Sequence, residues 1–186
     1  MGNYIDELRD GKYIDTNYYD YWNQCRKLNY AAEENFLLFL ESMNNVYSVR
    51  TELLQGGFFN ASLLLRAVAI ENLIKARVLF IMKEDGTLSN YSSISKLIKK
   101  EWKIGKEDIS HNPIRLCEKY GIKLSDNEKE LIENHLDHML WAGRFPFPKR
   151  VEDIKSEQSL GGSQKEDMNK LILRFTNEMK LDFDKI

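Results

Sequence analysis

"NASLLLRAVAIENLIKARVLF", residues 60–80, decides how this chain is read. Its apolar residues do not alternate as a half-buried strand requires; they recur at helical steps. Leu63, Ala67, Ile70, Ile74 and, just beyond the stretch, Ile81 share the strongest face, while Leu64, Val68, Leu73, Leu79 and Phe80 cover the others. A helix apolar almost all round belongs inside a helical assembly. The apolar run at residues 63–82 also carries Arg66, Glu71, Lys75 and Arg77, so it reads as a core helix and not as a membrane span. Glu71 and Lys75, four apart, can pair with each other, whereas Arg66 needs a carboxylate from elsewhere, such as the preceding helix. The helix is expected to open at Asn60 and to stop at Asp85-Gly86.

Working outward toward the N-terminus, Gly56-Gly57 suits a left-handed C-terminal cap and predicts the end of an earlier helix. That helix begins near Tyr30 and sets Phe36, Phe39, Met43, Val46, Val49 and Leu53 on one face. A short glycine connection makes the two long helices antiparallel. Residues 1–28 read as an irregular, aromatic-rich arm, with Tyr18, Tyr19, Tyr21 and Trp22 grouped to pack on the helices or on a partner.

Toward the C-terminus, residues 92–102 form a shorter helix with Ile94, Leu97, Ile98 and Trp102 inward. Asn112, Pro113 and Gly121 mark the cap, first turn and end of a two-turn helix. Ser125 and Glu128 form a capping box, opening a helix whose stripe is Ile132, Leu136, Met139 and Leu140, ending at Gly143. After Gly161-Gly162-Ser163, a last helix places Met168, Leu171, Ile172, Phe175 and Met179 on one face. No alternating strand pattern of useful length occurs. The expected fold is all-α, an up-and-down antiparallel helical bundle over residues 29–186 preceded by the arm at 1–28.

Composition bounds the function. With 186 residues, 42% hydrophobic and 30% charged, the chain is long enough for a real core and is not of disordered type. A net charge of −2 excludes a globally basic nucleic-acid binder but leaves room for a local basic patch. Cys25 and Cys117 have no metal-like spacing and read as reduced thiols of a cytoplasmic protein. No apolar leader follows Met1, and no membrane partner is expected. There is no phosphate-binding glycine loop, nucleophile elbow or H-E-x-x-H, and no cofactor is implied.

Three constellations could carry chemistry. His135 and His138 lie three apart on one helix face, but a catalytic zinc needs three protein ligands and spacing offers no third, so no metal is expected. His138 with Arg144 at the helix end could serve RNA scission, imidazole moving the 2′-hydroxyl proton while guanidinium stabilises charge at phosphorus. Arg144 could equally bond the last helix carbonyls or stack on Trp141 or Phe145. In the "FPFP" that follows, Pro146 and Pro148 hold Phe145 and Phe147 extended, as plugs between helix ends. In "KLIKKEWKIGK", residues 96–106, Lys96, Lys99, Lys100 and Lys103 share a face opposite Leu97 and Ile98, with Lys106 nearby, a surface fit for phosphates.

Residues 60–80, with "HNPIRLCEKYGIKLSDNEKELIENHLDHMLWAGRFPFPK" at 111–149, resemble the HEPN superfamily (higher eukaryotes and prokaryotes nucleotide-binding). The resemblance rests on Glu71, Lys75 and Ala76, on the helix led by His111 with Leu116, and on the turn from Trp141 to Pro146, and covers roughly residues 30–150. It implies a helical bundle, often a homodimer, tied to RNA, stress, toxin–antitoxin pairs or phage defence. The superfamily's ribonuclease motif, Arg followed after four to six residues by His, is absent here; the nearest approaches are Lys106 to His111 and, reversed, His138 to Arg144. The expectation is therefore a non-catalytic, dimeric binding module that recognises RNA or a cognate protein. The alternatives are a divergent metal-independent ribonuclease using Arg144 with His138 or His111, and a scaffold domain without a ligand.

Overall fold

The computed structural model describes residues 17–44, 49–137 and 163–182. Within them the chain is helical apart from one small hairpin: α1 (Tyr18–Met43), α2 (Val49–Glu84), a 3₁₀ turn (Thr87–Asn90), α3 (Ile94–Lys100), β1 (Lys103–Ile104), β2 (Glu107–Asp108), α4 (Pro113–Lys119), α5 (Asp126–Asp137) and α6 (Ser163–Glu178). The all-α expectation holds. Arg144, His138 and the Phe-Pro-Phe-Pro segment lie outside the described residues.

Three boundaries differ from the sequence reading. The first helix starts at Tyr18, not near Tyr30, because Asn17 caps it: its side-chain oxygen accepts the Tyr19 N–H at 3.1 Å. Its buried face is Trp22, Cys25, Asn29 and Ala32, where a polar and two small residues hide the helical period. The second difference is larger. Gly56-Gly57 does not end a helix; α2 runs straight through both, and neither has a positive φ. Each glycine costs an interior helix position about 1 kcal/mol relative to alanine. That cost is small beside the burial of apolar side chains further along α2, so tertiary packing overrides the local signal. The expected first helix is thereby divided: α1 ends at Met43, α2 begins at Val49 and not at Asn60, and Met43 and Leu53, expected on one face of one helix, lie on different helices and are exposed. Third, α3 ends at Lys100 and Lys103 sits in β1, so the lysines do not share a single helix face.

Other local signals act as read. Asn112 caps α4 by accepting the Arg115 N–H at 3.1 Å, with Pro113 in the first turn. Ser125 and Glu128 cap α5 reciprocally: the Ser125 N–H reaches Glu128 Oε2 at 2.8 Å and the Glu128 N–H reaches Ser125 Oγ at 3.3 Å. Gly86 (φ +81°) and Gly121 (φ +64°) supply the left-handed backbone that ends α2 and α4.

Helices α1 and α2 pack along each other in opposite directions: Tyr18 meets Phe80 edge-on at one end, and Phe39 meets Phe59 toward the other. Helices α4, α5 and α6 all contact α2. The apolar core takes α2 residues from Ala69 to Met82, joined by Trp22 and Cys25 of α1, Leu97, Trp102, Ile109, Leu116, Ile132, the α6 face Met168, Leu171, Ile172 and Phe175, and Met179 just past its end. Both buried indoles find acceptors, Trp22 Nε1 donating to Thr176 Oγ1 at 2.8 Å and Trp102 Nε1 to Tyr120 Oη at 3.0 Å. Arg66 is buried beneath the Phe36 ring. Burial lowers its pKa, and the negative charge of Glu33 on α1 opposes that shift.

Candidate nucleic-acid interface

The lysine surface is built by a short helix and a tight hairpin. Ser93 caps α3 by accepting the Lys96 N–H, and the buried Leu97 and Trp102 anchor the segment to the core. Lys96, Lys99, Lys100, Lys103 and Lys106 are therefore all turned to solvent. Gly105 (φ +63°) makes the turn between β1 and β2, whose register sets Lys103 opposite Asp108 and Ile104 opposite Glu107. Opposite charges directly across strands attract, so Lys103 is partly neutralised while the three α3 lysines are not. Lys96 Nζ donates to Ser92 Oγ at 2.8 Å. The nearby acids are engaged elsewhere: Glu101 accepts the Tyr91 hydroxyl at 2.6 Å and pairs with Lys119 at 3.5 Å, and Glu107 pairs with Arg115 at 3.5 Å. The acceptor role of Glu101 raises the Tyr91 phenol pKa, because ionisation would face a carboxylate.

A second cluster joins α2 to the start of α4. Lys75 Nζ and His111 Nδ1 both reach Glu71 Oε1, at 2.5 Å and 3.0 Å. Glu71 and Lys75 are nearly buried, with side chains 13% and 10% exposed, while the His111 ring is 60% exposed. Burial pushes the Glu71 carboxyl up, but hydrogen bonds and positive charge from His111 and Lys75 outweigh it and hold it below the usual range. Asp108 also feels His111. Its own desolvation is overcome by the Ser110 hydrogen bonds and by the charges of His111 and Lys103, so its carboxyl too stays low. A carboxylate on Nδ1 fixes that nitrogen as the donor and leaves Nε2 as the acceptor in a neutral ring, the tautomer a surface base needs.

His135 has no such freedom. It is buried in α5, and its Nδ1 donates to the Leu131 carbonyl at 2.8 Å, a structural role within its own helix. Of the three sequence candidates for catalysis, His111 alone falls within the described residues. There it meets Glu71 and Asp108. Among those residues no group of three metal-ligating side chains comes together.

One further concavity had no sequence signal. A groove of about 760 Å³ runs between α1 and α6, lined by Asn23, Arg26, Asn29, Tyr30, Asn169 and Leu173 among others. The Asn29 and Asn169 amides meet at 3.4 Å across it, the Arg26 guanidinium lies 4.8 Å over the Trp22 ring, and Lys165 pairs with Glu33 at 3.1 Å. Reading residues 17–28 as irregular concealed it, since the helical spacing of Asn23, Arg26 and Tyr30 puts them on one side of α1.

No protein-family model, curated protein or solved structure matches the chain.

Proposed function

We propose that the protein is a HEPN-like helical bundle of the cytoplasm that binds RNA through the lysines of α3 and the following hairpin, without cleaving it. The observation that carries this reading is the exposed set Lys96, Lys99, Lys100, Lys103 and Lys106, beside acids that are occupied by Tyr91, Lys119 and Arg115. Phosphate recognition needs a positive, solvent-facing surface and no concavity. Contact with the sugar–phosphate backbone alone carries no sequence information, so the expected binding is tolerant of sequence.

The test is a titration of labelled single-stranded RNA at two salt concentrations, read for shift and for cleavage. Binding should weaken steeply with salt, and Lys99→Glu with Lys103→Glu should lower the logarithmic salt slope by about 1.4, from roughly 0.7 per phosphate contact. A wild-type shift insensitive to both salt and charge reversal, or no shift at low salt, overturns the reading. In the latter case a cognate protein or a ligand-free scaffold takes its place.

One observation favours a second reading. His111, held by Glu71 at 3.0 Å, is arranged as a surface base. In a metal-independent ribonuclease its Nε2 would take the proton of a 2′-hydroxyl, the 2′-oxygen would attack phosphorus, and the 5′-oxygen would leave. Cleavage that vanishes with His111→Ala while the shift survives would establish that activity. Loss with Arg144→Ala would assign the charge-stabilising role.

A further inference from the structure

The groove between α1 and α6 is built on an antiparallel register. Trp22 reaches Thr176 at 2.8 Å, Asn29 reaches Asn169 at 3.4 Å and Glu33 takes Lys165 at 3.1 Å, so each step up α1 is a step down α6. Its volume of about 760 Å³ falls within the roughly 300–1,000 Å³ of small-molecule sites. Two features mark it as more than a gap left by packing. Asn29 is buried, 9% exposed, yet among the described residues its side chain makes only the 3.4 Å bond to Asn169, at the long limit for N–H···O. That bond uses one amide hydrogen of Asn29 and Oδ1 of Asn169. The Asn29 carbonyl oxygen and the Asn169 amide hydrogens stay available to a molecule in the groove. The second feature is charge. Glu33 is the single acid lining the groove among the described residues, and Lys165 neutralises it. Arg26 is engaged over the Trp22 ring, whereas Lys27 is exposed and pairs with no carboxylate among those residues.

We propose that this groove binds a small aryl-alkyl monocarboxylate, its head on Lys27 and the Asn169 amide and its apolar body along Tyr30, Ile172 and Leu173. The anionic head follows from the one cation left over once Glu33 and Lys165 have paired. In the helix register Asn169 sits across from Asn29, two residues along α1 from Lys27 and about 3 Å of rise, so one carboxylate meets both groups. A charged acceptor on these donors forms the stronger class of hydrogen bond. Phosphates are favoured where a helix N-terminus presents free N–H groups, and none opens here. The lining starts at Asn23 on α1 and Asn169 on α6, beyond the first four residues of either helix, where backbone N–H groups are already bonded. The apolar body follows from Tyr30, 68% exposed, and Leu173, 51% exposed, large side chains that the fold leaves to solvent on the two walls. An aryl group suits the Tyr30 ring, which offers an offset-stacked or edge contact. The site lies on α1 and α6, apart from the lysines of α3 and the hairpin, so it stands independently of the RNA reading.

The probe is phenylbutyrate, titrated into the full chain and read from the side-chain amide resonances of Asn29 and Asn169 by NMR. Those resonances should move and saturate with a Kd of about 1 mM or tighter, an affinity that so small a ligand sustains. Neutral phenylbutyramide keeps the body and loses the charge. It should bind the same wild-type protein at least about 10-fold more weakly, a comparison that needs no variant. Lys27→Gln should weaken phenylbutyrate by about 10-fold and leave phenylbutyramide unchanged. Leu173→Glu should abolish binding of both. Lys27 and Leu173 are exposed, so both variants should keep the wild-type helical spectrum. Lys99→Glu with Lys103→Glu should leave phenylbutyrate binding intact, which separates this site from the RNA surface. No movement of the two amides at about 10 mM probe, equal binding of acid and amide, or acid binding that Lys27→Gln leaves unchanged overturns the inference. Loss of acid binding in the hairpin variant overturns it as well.

Discussion

Replacing Lys75 with methionine is the most direct probe of the Glu71 cluster. Methionine keeps most of the aliphatic volume, so packing loss is slight and the change is electrostatic. It removes the ammonium 2.5 Å from a carboxylate whose side chain is only 13% exposed. The remaining partner, His111 at 3.0 Å, has a ring 60% exposed and screened by water. A contact of that kind is worth about 0–1 kcal/mol, too little to replace the lysine. Breaking a buried pair from one side costs about 3–5 kcal/mol, because the other charge stays buried without compensation. With His111 retained, a loss of about 3 kcal/mol is expected, a large part of a typical domain's 5–15 kcal/mol. Removing both charges, Lys75→Met with Glu71→Leu, should come within about 1 kcal/mol of the wild type, since an apolar pair of similar volume often equals a buried ion pair. Urea denaturation of wild type, both single variants and the double variant closes the cycle. If Lys75→Met costs under about 1 kcal/mol, or the two single losses simply add, the pair is not coupled and the argument from burial fails.

Gly56→Ala with Gly57→Ala should raise the unfolding free energy by about 1.5–2 kcal/mol. The added methyl groups meet nothing and only helix propensity changes; a loss in urea denaturation would mean these residues are not helical. Cys117, pushed up to about 12 chiefly by burial, and Cys25, pushed up further by full burial, should both resist a thiol-reactive disulfide reagent in the native state. Their labelling should track unfolding by urea, and labelling of either at a native rate like that of a free thiol would contradict the packing. Glu71 gives a pH dependence of fixed sign. Its folded pKa is below its unfolded one, so its stabilisation is complete above the ordinary carboxylate range and is lost as pH falls through the folded value. Compared by thermal melting in acid, Glu71→Gln should flatten that decline; an equally steep decline would show that other carboxyls control it.

How much could be read from residues alone follows from the range of each interaction. Asn112 before Pro113, the Ser125–Glu128 box, and Gly86 and Gly121 were legible because caps and left-handed turns act within four residues. The α6 stripe was legible because every one of its five apolar positions is buried. Gly56-Gly57 misled because a local breaker was judged without the tertiary packing of α2 that outweighs it. The α1 start was missed because its buried face mixes Trp22 with Cys25, Asn29 and Ala32, leaving no apolar period to detect. The lysines were found by charge density, but their division between helix and hairpin depends on Gly105 and on the pairing of Lys103 with Asp108. Glu71 and Lys75 were visible as an i, i+4 pair. The arrival of His111 from forty residues away was not, since no local rule brings α4 to α2.

The unbroken course of α2 has a mechanical meaning. Its 36 residues span about 54 Å at 1.5 Å per residue, and the apolar cluster it shares with α4, α5 and α6 runs along it from Ala69 to Met82. It is in effect a cantilever: among the described residues one half is clamped by α4, α5 and α6, and the other is braced by α1. Deflection and fraying are cheap at the free end and forbidden at the clamp, so a single helix carries a gradient of rigidity. A load on Leu53 or Leu54, exposed near its start, has a continuous rod through which to act on Glu71 and Lys75.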